Sequence, residues 1–107
     1  MPLYMIQASY AAQATASMVK NPQDRAAAIR PMMERMGGTL QEIWFCFGEY
    51  DIAAIAEVPD NVTAAAVAMA IGSSGAMSAY RTTPLMTSAD AKKAMEKAGG
   101  VGYPAPN

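Results

Sequence analysis

The sequence predicts an α+β domain: a four-stranded antiparallel sheet with helices over one face. Three observations carry this reading. The mostly apolar runs Ile43–Phe47 and Ile52–Val58 flank Gly48-Glu49-Tyr50, a strand–turn–strand pattern. Leu3–Tyr10 alternates residue types with the period of a strand. Two segments between the strands open with helix-start signals, Asn21-Pro22-Gln23-Asp24 and Pro59-Asp60-Asn61.

Leu3–Tyr10 divides into two alternating sets. Tyr4, Ile6, Ala8 and Tyr10 form the more apolar one and are expected to face the helices. Leu3, Met5, Gln7 and Ser9 then lie on the opposite face. Ala11–Lys20 is alanine-rich and predicts a short helical turn. The next helix runs from the Asn21–Asp24 signal to about Met36. Asn21 is expected as its cap and Pro22 at its first position. Ile29, Met32, Met33 and Met36 form its apolar stripe. Pro31 is expected to kink or open it, and Gly37-Gly38 to stop it.

Thr39–Phe47 and Asp51–Val58 are the second and third strands, joined by a short turn at Gly48–Tyr50. Val62–Ile71 is a helix apolar nearly all round, a pattern of burial on more than one side. Gly72-Ser73-Ser74-Gly75 breaks it. Ala76–Leu85 is the fourth strand, and Ser88–Ala98 a last helix with Ser88 or Asp90 near its cap. The order β-α-β-β-α-β-α is that of a ferredoxin-like split βαβ with an added C-terminal helix. Residues 1–98 are read as one domain and 99–107 as an extended tail.

The composition bears on association. Of the 107 residues, 52% are hydrophobic and only 16% charged, whereas about 25% is typical. So little charge leaves apolar surface that a second subunit would cover, and a homo-oligomer, at least a dimer, is expected. Ten methionines suit a pliable core or interface. The net charge is −1 and the basic residues are scattered, which argues against nucleic acid as a partner. No apolar run approaches the ~18 residues of a membrane span. The chain has no histidine, and its single cysteine excludes an intramolecular disulfide and fits a reducing compartment. The expected location is cytoplasmic.

Phe47-Gly48-Glu49-Tyr50-Asp51, Glu57-Val58-Pro59-Asp60-Asn61, Ser74-Gly75-Ala76 and Arg81-Thr82-Thr83-Pro84-Leu85 resemble the GYD-domain family. Tyr4, Gln7-Ala8-Ser9-Tyr10 and Asn21-Pro22-Gln23-Asp24-Arg25 fit it as well, so the resemblance covers about residues 3–95. It implies a ferredoxin-like fold of the dimeric α/β-barrel type and leaves the activity open. A looser resemblance, through the Gly-x-Tyr-Asp hairpin, links the chain to the ligand-binding domain of Lrp/AsnC-type regulators. That one implies small-molecule binding at a subunit interface.

Two constellations are candidate sites. In a ferredoxin-like sheet the first strand lies between the third and fourth. Gln7, Ser9, Glu57 and Arg81 would then project from the face opposite the helices, with Tyr10 a further ligand-binding candidate. There they would either line a cavity between subunits, Arg81 holding a small acidic or aromatic ligand, or form a buried Glu57–Arg81 ion pair. Glu49, Tyr50 and Asp51 form the second constellation, at the rim. They read either as an acid–base cluster or as a turn in which Gly48 takes a positive φ, Tyr50 packs and Asp51 bonds turn amides.

Cys46 lacks a histidine to activate it and is read as a small core residue. Without histidine or a second cysteine no metal site is expected. Gly72-Ser73-Ser74-Gly75 lacks the lysine of a phosphate loop, and no cofactor is expected. Three functions remain: a module binding a small molecule between subunits, a cofactor-free monooxygenase- or isomerase-like enzyme, and an accessory protein of structural role. Tyr80, Trp44 and Tyr103 are read as packing residues.

Overall fold

The computed structural model describes residues 1–107. The elements are β1 (Leu3–Tyr10), α1 (Ala12–Lys20), α2 (Arg25–Arg35), β2 (Thr39–Phe45), β3 (Ile52–Glu57), α3 (Asn61–Ser73), β4 (Met77–Leu85) and α4 (Ser88–Gly99). The strands form one sheet in the order β2-β3-β1-β4, with every neighbouring pair antiparallel. This is an α+β fold with the ferredoxin-like strand order. Pro84 is accommodated because β4 is an edge strand.

The helix starts are chemically explicit but shifted from expectation. Asp24, not Asn21, caps α2, and its side chain accepts from the Ala26 and Ala27 amides. Its carboxylate suits the positive helix end better than a neutral amide does. Asp60 caps α3, accepting from the Thr63 amide at 2.8 Å and the Thr63 hydroxyl at 2.8 Å. These bonds hold its carboxyl below the usual range. Thr87, rather than Ser88 or Asp90, caps α4. Helix α2 continues through Pro31, which lies exposed. Ala12–Lys20 is a full nine-residue helix, more than a turn.

Tyr4, Ala8, Ile52, Ala54 and Ala56 are buried on the helix-facing side of the sheet. Met33 of α2 and Ala64 and Val67 of α3 complete the core with Leu40 and Val58. Helix α2 lies over β2 and α3 over β4. The central strands β1 and β3 therefore run beneath the gap between the helices.

Two ends of this layered pair need distinguishing. The lower end carries Leu3, Thr39, Glu57 and Leu85, and the upper end Tyr10, Phe45, Ile52 and Met77. At the lower end the Tyr4 hydroxyl donates to Asn61 Oδ1 at 2.5 Å, tying β1 to the start of α3. Gly37 turns the chain out of α2 with φ of 79°. A side chain at Gly38 would collide with the Glu57 carbonyl oxygen, so the close approach of this turn to β3 requires glycine.

Helix α4 buries no residue. The radius of gyration is 17.3 Å and the longest dimension 57 Å; a compact chain of this length has a radius of about 13 Å.

Candidate functional site

The register sets the outer face of the sheet, opposite the helices. Gln7 lies directly across from Arg81, and Leu3 directly across from Glu57. Gln7, Ser9, Glu57 and Arg81 thus share the outer face, as their alternation predicts. They do not form one site. Glu57 is four residues from the Gln7–Arg81 level, about 13 Å along the strand. It accepts from Gln41 Nε2 instead, and the Glu57–Arg81 ion pair does not form. The one ion pair in the chain is Lys93–Asp90 at 4.0 Å. Tyr10 points to the helix side, where its ring stacks on Phe45 at 6.1 Å.

The hairpin brings the second constellation to the upper end of this face. The connection is longer than a tight turn, spanning 46–51, and Gly48 is not among the positive-φ glycines. The Arg81 guanidinium lies 5.9 Å from the centre of the Tyr50 ring, within cation–π range. Ser9 Oγ donates to the Glu49 carbonyl at 3.1 Å. Asp51 bonds no turn amide. Its Oδ2 accepts from the Tyr10 amide at 2.9 Å, where the β1–β4 register shifts between Ser9 and Tyr10. The carboxylate therefore holds β1 where it faces a bulge in β4 at Ser78. Cys46 is not a core residue: it is exposed, and its thiol donates to the Tyr50 carbonyl at 3.0 Å.

The cavity best suited to a ligand lies on the other side of the sheet. At the upper end the helices leave a space of about 240 Å³ above β1 and β3. Its depth comes from small side chains. Ala54, Ala70 and Ala76 line it where larger residues would fill it. Ile29, Met32 and Ile43 on one side and Val67, Ile71 and Met77 on the other give it an apolar wall. Tyr10, Arg25, Ser74 and Tyr80 supply its polar groups. At the lower end the space between Tyr4, Met33, Val58 and Val67 is about 10 Å³, and a more open cleft of about 210 Å³ lies beside it between α3 and β4, lined by Tyr4, Asn61, Ala64, Ala68, Thr82 and Pro84.

Two polar atoms of the cavity residues are buried without a hydrogen-bond partner, Arg25 Nε and the Tyr80 hydroxyl. An unpaired buried donor costs about 1–3 kcal/mol. Burial pushes the Tyr80 phenol above its ordinary value of 10.0. The neighbouring Thr82 hydroxyl softens that shift, though neither hydroxyl makes a hydrogen bond of good geometry. Arg25 Nη1 is held by Gln23 Oε1 at 2.7 Å. No group of His, Cys, Asp and Glu side chains is placed to hold a metal ion.

Arg25 and Tyr80 were not among the residues singled out by spacing and composition. Each has an ordinary explanation in sequence, a helix-start cation and a strand aromatic. The available signal was the coincidence of small residues on the helix-facing positions of β3 and α3 with a tyrosine on the same face of β4.

The GYD domain family model matches residues 4–95. Comparison with curated proteins and with solved structures gave no match.

Proposed function

We propose a function from the premise that this chain belongs to the GYD-domain family: it is a binding protein for one small, mainly apolar molecule. The molecule sits between α2, α3 and the sheet, and the protein works as a homo-oligomer. The observation that carries this reading is the cavity of about 240 Å³ with two unpaired polar atoms on its lining residues. Ligand sites are typically apolar clefts with a few convergent polar groups.

Binding is favoured over catalysis by what lines the space. Its ionisable side chains are Arg25, Tyr10 and Tyr80. Glu49, Asp51 and Glu57 are absent from its lining, so no carboxylate stands ready as a general base.

The homo-oligomer rests on unsatisfied surface. The outer face exposes Trp44 by 55% and Leu85 by 37%, and Leu3, Met5 and Ile55 lie on it half-buried. Helix α3, predicted to be buried on more than one side, leaves Val62 and Met69 exposed in the single chain. In this reading the Gln7–Arg81–Tyr50 group is a polar element of the subunit contact.

The test is titration calorimetry of the full chain with 2-naphthol. Saturable binding at one site per chain is expected, and Ala70→Phe should abolish it without lowering the thermal midpoint. Ala70 lines the cavity and is itself exposed, so the larger ring enters the space with little disturbance of the core. Absence of saturable binding, or binding that survives the substitution, overturns the proposal.

A further inference from the structure

We infer that the ligand of this cavity is an aromatic carboxylate of one substituted ring or two fused rings. The inference rests on the binding reading above and adds the ligand's shape and charge.

Size comes first. A dry apolar cavity of about 150 Å³ holds benzene. The space here is about 240 Å³, room for a ring with substituents or for a fused pair, and too small for a nucleotide or an extended lipid. Planarity follows from the walls. The helices flank a sheet floor in which Ala54 leaves a gap between the larger Ile6, Ile43 and Ile52. The Tyr10 ring, already stacked with Phe45 at an interplanar angle of 14°, offers an aromatic surface at the upper end.

The charge follows from Arg25. It is the one cationic side chain in the cavity lining, and the α2 N-terminus beside it is already capped by Asp24. The adjacent Asp24 carboxylate is turned to the Ala26 and Ala27 amides and makes no ion pair with Arg25. Gln23 Oε1 occupies Nη1, leaving the edge formed by Nε and Nη2. That edge presents two parallel N–H groups, the geometry that a carboxylate accepts bidentately. Nε is buried and unpaired, so a carboxylate oxygen would satisfy it without displacing an existing partner. Tyr80 also lines the cavity, and its hydroxyl, beside Thr82, is buried and unpaired. A neutral hydrocarbon would leave both donors unsatisfied. A di-acid would place its second charge against the apolar wall.

The experiment is calorimetry of the full chain with 2-naphthoate and with 2-naphthamide, a neutral molecule of nearly the same shape. The carboxylate should bind at least tenfold more tightly. Arg25→Met should erase that preference while leaving the affinity for the amide. Arg25→Lys, which keeps the charge and loses the fork, should retain only part of it. Tyr80→Phe should weaken both ligands severalfold. Equal affinity of acid and amide for the unaltered protein, or a preference unchanged in Arg25→Met, overturns the carboxylate assignment and leaves the cavity standing as a binding site. Failure of both molecules to bind removes the assignment and the binding site together.

Discussion

At the lower end of the helix–sheet interface the space enclosed by Tyr4, Met33, Val58 and Val67 is about 10 Å³, and a more open cleft of about 210 Å³ lies outside it between α3 and β4. The upper end of the same two layers leaves about 240 Å³, with Ala54, Ala70 and Ala76 set among larger apolar side chains. The backbone elements are shared: the same two helices cross the same four strands. What differs is a pair of cross-links that draw the lower end together. Those are the Tyr4–Asn61 hydrogen bond and the glycine turn packed against β3. The enclosed core and the larger cavity thus adjoin, with Met33 and Val67 lining both. This matters in a chain that buries only 11 of its 107 residues, because little core is available to spare for a site.

The contrast can be tested by truncating one side chain of similar size at each end. Met33→Ala should have the largest effect, a loss of about 3 kcal/mol, because this side chain is almost fully buried and separates the two spaces, lining both. Urea denaturation would measure it, and a loss below 1 kcal/mol would erase the distinction between the ends. Ile71→Ala, beside the existing space and only half-buried, should cost about 1 kcal/mol or less, since the transfer term is partial and little new void forms. A cost equal to that of Met33→Ala would mean that the upper end is packed as tightly as the lower.

The smallest effect concerns pH. The folded chain holds the Tyr80 phenol above 10.0 by burial. Its neutral form is therefore favoured by folding, and this contribution is complete below pH 10. Above pH 10 the unfolded chain ionises first and stability falls until the folded phenol titrates as well. Comparing denaturation midpoints from pH 8 to 11 for the protein and for Tyr80→Phe isolates this component. The variant should decline less steeply on the alkaline side. Parallel curves would place Tyr80 in a solvated setting and weaken the case for a dry upper end.

The fold was legible because its signals are local. Alternation in Leu3–Tyr10, the cap residues near Asp24 and Asp60, and the paired apolar runs around the hairpin each act within a few residues. Antiparallel register then places Gln7 across from Arg81 without further information. The cap of α2 was misplaced by three residues because Asn21-Pro22 is itself a plausible start, and only the structure shows Asp24 meeting the amides. The candidate site was less legible. Alternation assigned the right face to Gln7, Ser9, Glu57 and Arg81, but position along the strand separates Glu57 from the rest. Tyr10 lies on the helix-facing side, as its apolar set required. The cavity depends on how far apart α2 and α3 sit, a distance set by packing between segments some forty residues apart in sequence. Arg25 and Tyr80 acquire meaning only once that distance is known.

Trp44 is the only tryptophan in the chain, and it projects from the outer face of β2, across the sheet from the cavity. Its indole is an intrinsic fluorophore placed where a covering subunit would shield it and a cavity ligand would not touch it. A blue shift of emission with rising protein concentration would therefore report subunit association. A naphthalene-sized guest that enters on the opposite side should leave the wavelength of that emission unchanged. The single indole thus separates optically two events that calorimetry would add together.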